Sequence, residues 1–271
     1  MIVDWDKIEV YIDEVKNPKG KILFLHGFTG NFNNKISFRH FFKDYSFYGI
    51  NLPGHGNSVC DDLKSLHTKV FFEVIVAFIE KYHLTDLIIL GHSMGGGLAV
   101  ILANYLKTKI KCLILEAPAN KEVFKNYETI IKKLIPGSIE EAKMIVSKLI
   151  YDPLKFFGSQ KRWEWFVNNE YKNLSTKYFN LKILLEFDLM KLFFNEIQKA
   201  ISQIKLPILL ILGDQDEIVP WKETMDNFLQ TLPDKNQLEI IIAKNSAHLP
   251  LSENTQLLVG VECFLSKIIN N

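Results

Sequence analysis

The sequence has almost no arginine and no cluster of like charges. All of its 32 basic residues except Arg39 and Arg162 are lysines, and its 31 acidic residues leave a formal net charge of +1. Proteins that bind nucleic acids or membrane surfaces through charge usually carry a basic stripe. This sequence carries none, so we expect no nucleic-acid partner.

Cysteines are few as well. Cys60, Cys112 and Cys263 are odd in number and far apart, and they form neither a Cys-x-x-Cys pair nor a disulfide framework. Their pattern is typical of small buried residues in a reducing compartment. Because no His-Glu-x-x-His or paired-cysteine spacing occurs either, we expect no metal site.

Long apolar runs and targeting signals are also missing. No apolar stretch reaches the roughly 18–20 residues of a membrane-spanning helix. The opening residues 1–6 contain acidic side chains where a signal peptide needs positive charge followed by an apolar run. We therefore expect a cytoplasmic protein without a membrane span, and no feature of the sequence sets an oligomeric state.

Phosphate-binding loops are incomplete. No lysine follows Gly95-Gly96-Gly97, as a P-loop would require, and Val59 stands where a dinucleotide fingerprint beginning at Gly54-His55-Gly56 needs its third glycine. We therefore expect no nucleotide and no other cofactor.

What the chain does contain is a regular alternation of short apolar runs and longer helical patterns. Its 271 residues, 48% of them hydrophobic, suffice for one large domain. Strands are predicted at residues 7–15, 21–25, 46–52, 86–90, 111–115, 208–212 and 238–243, and helices at about 66–82, 93–106, 221–232 and 253–269. Several strands are apolar throughout, which is typical of a parallel sheet buried on both faces, whereas 7–15 alternates and is a candidate antiparallel edge strand. The pattern predicts an α/β fold, with a mostly parallel sheet flanked by helices.

One segment interrupts this alternation. Residues 120–202 show only helical patterns and are rich in aromatic side chains. They are predicted to be a helical insertion, which divides the core into residues 1–119 and 203–271. The insertion is expected to pack over the edge of the sheet.

A candidate nucleophile lies in Gly91-His92-Ser93-Met94-Gly95, between a predicted strand and a predicted helix. Glycines on both sides of a serine in this position let the chain turn sharply and hold the hydroxyl at the carboxyl edge of the sheet. The alternative is a glycine-rich turn around an ordinary buried serine. The strand–turn–helix setting favours the nucleophile.

His248 is the histidine best placed to activate that serine. It follows the last predicted strand, on a loop at the same carboxyl edge, where ligands collect in open α/β sheets. The other histidines are expected to be structural or surface residues: His26, His40, His55, His67, His83 and His92. Of these, His26 is expected to brace its own loop by hydrogen bonding, and the His92 side chain is expected to point away from the Ser93 hydroxyl.

The residues alone offer several candidates for the acid that orients the imidazole. Asp214, Asp216 and Glu217 share the loop after the predicted strand 208–212, and Glu116 ends another strand. Each could reach the carboxyl edge, and Asp214 would equally suit a turn. The spacing leaves these alternatives open.

The sequence as a whole resembles the α/β-hydrolase-fold enzymes, in their serine esterase/lipase-like branch. The resemblance runs along most of the chain and rests on segments in the order of that fold: Leu25-His26-Gly27-Phe28-Thr29-Gly30, Leu52-Pro53-Gly54-His55-Gly56-Asn57-Ser58, Gly91-His92-Ser93-Met94-Gly95-Gly96, Gly213-x-x-Asp216-x-x-Val219-Pro220 and Ala247-His248-Leu249-Pro250-x-x-Glu253. The resemblance implies that Asp216 is the catalytic acid and that the helical insertion is a lid. It also implies that the backbone N–H groups of Phe28 and Met94 form the oxyanion hole.

These residues together predict an ester hydrolase. Ser93, His248 and Asp216 would form and hydrolyse an acyl-enzyme, and the aromatic insertion favours small-molecule esters with apolar acyl or aryl groups. Two alternatives remain: a carbon–carbon bond hydrolase or a menaquinone-pathway-type lyase with the same triad, and a non-catalytic ligand-binding protein. The lyase usually carries arginine where this chain has Gly97, which argues against it.

Overall fold

The structure, a computed structural model, describes residues 3–269. Met1 and Ile2, which open the segment where we expect no signal peptide, lie outside the described residues, as do Asn270 and Asn271 at the end of the second predicted core segment.

Seven strands form a single sheet in the order β1-β3-β2-β4-β5-β6-β7 within these residues. The strands are β1 (Val10–Asp13), β2 (Lys21–Leu25), β3 (Ser46–Ile50), β4 (Leu87–His92), β5 (Ile110–Glu116), β6 (Ile208–Gly213) and β7 (Leu238–Ala243). All neighbours pair in parallel except β1, which runs antiparallel to β3. The predicted mostly parallel sheet and its antiparallel edge strand are therefore confirmed.

The central strands are apolar throughout because both faces of the sheet are covered. Along β2, Leu23 and Leu25 belong to one hydrophobic core, whereas Ile22 and Phe24 belong to a second core on the opposite face. Since successive side chains of a strand point to opposite faces, a sheet with two covered faces selects apolar residues at every position.

Helices cover both cores. They are α1 (Ile36–Phe41), α2 (Thr68–Lys81), α3 (Met94–Tyr105), α4 (Ile139–Leu149), α5 (Pro153–Phe157), α6 (Gln160–Ser175), α7 (Phe187–Ile201), α8 (Trp221–Thr231), α9 (Pro250–Glu253) and α10 (Leu257–Ile269). The helix predicted over 253–269 is wrong at its start: the chain forms α9, turns at Asn254 in an extended conformation, and begins α10 at Leu257. The edge strand is also shorter than predicted at both ends: it begins at Val10, after a 3-10 helix over Trp5–Lys7, and it ends at Asp13.

The predicted insertion contains only helices between β5 and β6. Its last helix, α7, packs against α3 at Gly97, where a β-carbon would lie 2.5 Å from Ile197 Cδ1 and 2.9 Å from Phe193 Cζ. The space that an arginine would need at this position is therefore occupied by α7.

Candidate active site

Ser93 occupies a sharp turn between β4 and α3. Its backbone has φ 52° and ψ −119°, a conformation that costs a non-glycine residue roughly 1–3 kcal/mol. The turn is held from both sides, since the Ser93 N–H donates to the Glu116 carbonyl at 3.0 Å and the Ser93 carbonyl accepts from the Ala119 N–H at 2.9 Å. Backbone strain retained by such contacts is typical of a functional position.

Close packing explains the glycine two residues later. A β-carbon at Gly95 would lie 2.1 Å from the Leu25 carbonyl oxygen. Glycine therefore lets the first turn of α3 approach the end of β2, and this places the first loop beside Ser93.

His248 and Asp216 form a buried pair. The His248 Nδ1–H donates to Asp216 Oδ2 at 2.8 Å, and both side chains are at most 4% exposed. The other carboxylate oxygen of Asp216 accepts the N–H groups of Ile218 at 2.8 Å and Val219 at 2.9 Å. Because Nδ1 carries the proton, the Nε2 atom of a neutral His248 ring is free to accept one.

The three other candidate acids have different partners, and of these Glu217 forms an ion pair with Lys148 at 2.5 Å. Asp214 accepts the Asn245 N–H at 2.8 Å and pairs with Lys244 at 3.5 Å, so it stabilises the turn before His248. Glu116 is fully buried, where it forms an ion pair with Lys35 at 2.5 Å and accepts the Leu251 N–H. Of the sequence candidates, the structure brings Asp216 to His248.

Hydrogen bonds connect the loop that carries His248 to the helical segment 120–202. The His248 N–H donates to the Leu149 carbonyl at the end of α4, at 3.1 Å. One oxygen of Glu253 accepts the Ala247 N–H at 2.8 Å and the other accepts the Tyr151 N–H at 2.7 Å. Burial raises the pKa of this carboxyl group above its ordinary value.

His92 has a role in this loop that the sequence did not reveal. Its Nε2–H donates to the His248 carbonyl oxygen at 3.0 Å, and a β-carbon at Gly27 would lie 2.8 Å from its Nδ1 atom. His92 therefore links three loops at the carboxyl edge. Burial and the nearby His248 lower the pKa of His92 well below its ordinary value, which keeps this ring neutral.

His26 braces its loop as predicted. Its Nδ1–H donates to the Gly27 carbonyl at 2.8 Å, and its Nε2 accepts the Leu52 N–H at 3.1 Å. Burial lowers the pKa of His26 from 6.5 to about 4. The neighbouring His55 ring, 4.8 Å away between centroids, is buried too, and burial lowers its pKa well below the ordinary value.

We expect acid to destabilise the fold through His26. Its pKa is about 4 in the folded chain and 6.5 in the unfolded chain, so the unfolded chain binds more protons between these values. The stability contributed by neutral His26 is complete above pH 6.5 and decreases as the pH falls towards 4, by up to about 3 kcal/mol. Urea unfolding measured at several pH values in this window tests the prediction.

The matched variants for this measurement are His26→Gln and His40→Gln. His40 is exposed on α1, so its replacement should leave the pH dependence of unfolding unchanged. His26→Gln should reduce the slope without abolishing it, because the pKa values of buried His55 and His92 are also lowered well below the ordinary value. An equal slope for wild type and His26→Gln would show that another group is responsible.

Two backbone N–H groups beside Ser93 are free of acceptors. Phe28 and Met94 both line a cavity with Ser93, and neither N–H donates a hydrogen bond to any residue in the range 3–269. The Met94 N–H opens α3, where the helix itself offers no acceptor. The first loop is held near Ser93, since a β-carbon at Gly27 would lie 3.1 Å from the Ser93 Cβ.

Ser93 lies between two cavities. The first, of about 530 Å³, is lined mainly by apolar side chains from α7 and from the helical segment before it. The second, of about 610 Å³, is lined by Ser93 and also by His248, with α4 and α6 forming its far wall. The Ser93 hydroxyl makes no hydrogen bond to residues 3–269, although it shares this second cavity with the His248 ring.

A mostly parallel seven-stranded sheet with helices on both faces, and a serine on a strained strand-to-helix turn at its carboxyl edge, are the features of an α/β hydrolase. Within that class, the chain belongs to the family described as serine aminopeptidase, S33, whose model matches residues 16–255.

Relatives and solved structures agree with this assignment. The chain is 37% identical over 266 residues to "Putative esterase/lipase 1" of Mycoplasma pneumoniae, with 96% of each chain covered. It is also 37% identical to "Putative esterase/lipase 1" of Mycoplasma genitalium, with 92% of each covered. The crystal structure of MGS-M2, an α/β hydrolase enzyme from a Medee basin deep-sea metagenome library, superimposes with a TM-score of 0.78 at 17% identity, covering 96% of this chain and 94% of that one. Together, the relatives and the fold support an esterase/lipase-like hydrolase.

Two further kinds of feature are absent from residues 3–269. No helix between residues 3 and 269 is long and apolar enough to cross a membrane. The same range contains no group of three or more His, Cys, Asp and Glu side chains that could hold a metal ion.

Proposed function

We propose that the protein hydrolyses carboxylic esters through an acyl-enzyme formed on Ser93. The observation that carries this proposal is that strained Ser93 shares a cavity with His248, whose ring is oriented by buried Asp216. A serine hydroxyl becomes an effective nucleophile near neutral pH when an imidazole can take its proton.

The reaction needs only these side chains and water. Ser93 Oγ attacks the ester carbonyl while its proton passes to His248 Nε2, and the tetrahedral intermediate collapses as His248 returns the proton to the leaving alcohol. A water molecule then gives a proton to His248 and its hydroxide to the acyl carbon, which releases the acid and restores the Ser93 hydroxyl. Asp216 stabilises the imidazolium in both halves.

The N–H groups of Phe28 and Met94 are suited to hold the oxyanion. Both are without acceptors among residues 3–269 and both belong to residues that line the cavity beside Ser93. Because charge on the carbonyl oxygen develops only in the transition state, each donor contributes to the rate, typically about 2.7–4 kcal/mol.

The first cavity favours an apolar acyl group. The helical segment supplies most of its wall, through Val123, Ile131, Leu134, Leu184, Leu185, Met190, Phe193 and Phe194. We infer that residues 120–202 act as a lid that supplies the acyl-binding surface.

A panel of p-nitrophenyl esters of graded acyl length tests the activity. We expect kcat/KM to rise from acetate to medium-length chains, because each buried methylene contributes about 0.8 kcal/mol. Absence of turnover with every ester, in a protein whose Ser93 still reacts with an acylating probe, would move the assignment to carbon–carbon bond hydrolysis or elimination.

A further inference from the structure

The cavity shared by Ser93 and His248 contains a carboxyl group that the proposed mechanism does not use. Glu170, on α6, lines this cavity opposite the first loop. The remaining wall contributed by the helical segment is apolar, from Leu134, Ile145, Val146, Leu149, Phe166 and Leu174.

Glu170 has no partner for its charge among the residues that the structure describes. Within residues 3–269 its carboxyl group makes no hydrogen bond and no ion pair, although other carboxylates of the site, such as Asp216 and Glu253, each accept at least two hydrogen bonds. Burial raises the pKa of Glu170, and no donor offsets that effect. The Glu170 side chain is only partly buried, and a carboxyl group that faces an otherwise apolar cavity wall without a protein donor is open to a hydrogen bond from a ligand in that cavity.

The chemistry of the reaction determines which part of the substrate enters this cavity. The leaving oxygen must come within hydrogen-bond reach of His248, which returns the proton to it. His248 lines the second cavity and does not line the first. The alcohol part of the ester therefore enters the cavity that contains Glu170, and the acyl part enters the apolar cavity.

We propose that Glu170 is a specificity-determining residue that binds a hydrogen-bond donor, a hydroxyl or an ammonium group, on the alcohol part of the substrate. This inference rests on the proposed ester hydrolysis at Ser93. The favoured substrates are then apolar acyl esters of polyols or of amino alcohols, and simple alkyl esters of the same size are poor substrates.

Three butanoate esters test this inference. n-Propyl butanoate, 2-hydroxyethyl butanoate and 2-(dimethylammonio)ethyl butanoate share the acyl part and differ at the end of the alcohol part. For the wild type we expect kcat/KM to be on the order of 10- to 100-fold higher for at least one of the two donor esters than for the propyl ester, the range of a hydrogen bond to a charged group.

Two substitutions at Glu170 distinguish a preference that comes from hydrogen bonding from one that comes from the charge of the carboxylate. Glu170→Leu should remove the preference for either donor. Glu170→Gln should still prefer the hydroxyl ester over the propyl ester, because a neutral amide accepts a hydrogen bond. It should no longer prefer the ammonium ester, because the amide has no negative charge to attract a cation. The matched control is Glu164→Leu, on the exposed side of the same helix, where the ratios should equal those of the wild type.

The ratio of kcat/KM for a donor ester to kcat/KM for the propyl ester tests the role of Glu170 separately from the proposed ester hydrolysis. Equal rates for the three esters in the wild type, or an unchanged ratio in Glu170→Leu, would overturn the role of Glu170 while ester hydrolysis stands. Failure to hydrolyse any ester would overturn both.

Discussion

A Ser93→Ala variant is expected to lose ester hydrolysis, with kcat lowered by about 10⁶-fold, because it lacks the hydroxyl on which the proposed acyl-enzyme forms. The hydroxyl makes no hydrogen bond within residues 3–269, and alanine has the same backbone restrictions as serine at φ 52°. The variant should therefore keep its stability to within about 0.5 kcal/mol. Steady-state kinetics and urea unfolding of the same preparations measure the two effects.

The control for this substitution is Ser147→Ala. Ser147 is an exposed serine on α4 whose hydroxyl donates to the Met144 carbonyl. The Ser147→Ala variant should hydrolyse esters as fast as the wild type. Substantial turnover by Ser93→Ala would mean that hydrolysis does not pass through this serine.

Asp216→Asn is expected to lower kcat by about 10⁴-fold. In the native site, one oxygen of Asp216 accepts the N–H groups of Ile218 and Val219, and the other accepts the Nδ1–H of His248. An asparagine that keeps the two backbone bonds through its oxygen must present its NH₂ group to His248. The ring then carries its proton on Nε2, where it cannot accept the proton of Ser93.

Asp214→Asn is the matched control on the same loop. Asparagine at this position can still accept the Asn245 N–H through its side-chain oxygen, and it loses only an ion pair with highly exposed Lys244. Such a pair contributes about 0–1 kcal/mol to stability, and kcat should stay within about twofold of wild type. If Asp214→Asn lowered kcat more than Asp216→Asn, our proposal would have assigned the catalytic acid to the wrong aspartate.

Local pattern was sufficient to predict the sheet. The runs 21–25 and 238–243 match β2 and β7 because short apolar segments bounded by turns have few alternatives in an α/β chain. The last helix was harder to predict, since the break at Asn254 lies inside an otherwise helical pattern, and the side chain of Asn254 accepts the Gln256 N–H at 3.1 Å there.

In the site, too, the sequence pattern predicted some residues and left others open. Ser93 and His248 could be located from strand ends, whereas spacing alone could not choose between Asp214 and Asp216, which lie two residues apart. The structure separates them because the N–H groups of Ile218 and Val219 fix the Asp216 carboxylate towards His248. The contact from His92 to the His248 carbonyl joins residues 156 positions apart, and only the folded chain reveals it.

The central claim is that Ser93 is the residue that becomes acylated, and a fluorophosphonate probe tests it most directly. After reaction with the folded wild-type protein, digestion and mass spectrometry should locate one phosphonyl group on Ser93, and Ser93→Ala should remain unlabelled. A folded wild-type protein that takes up no label, or takes it up at another residue, would contradict the proposed acyl-enzyme.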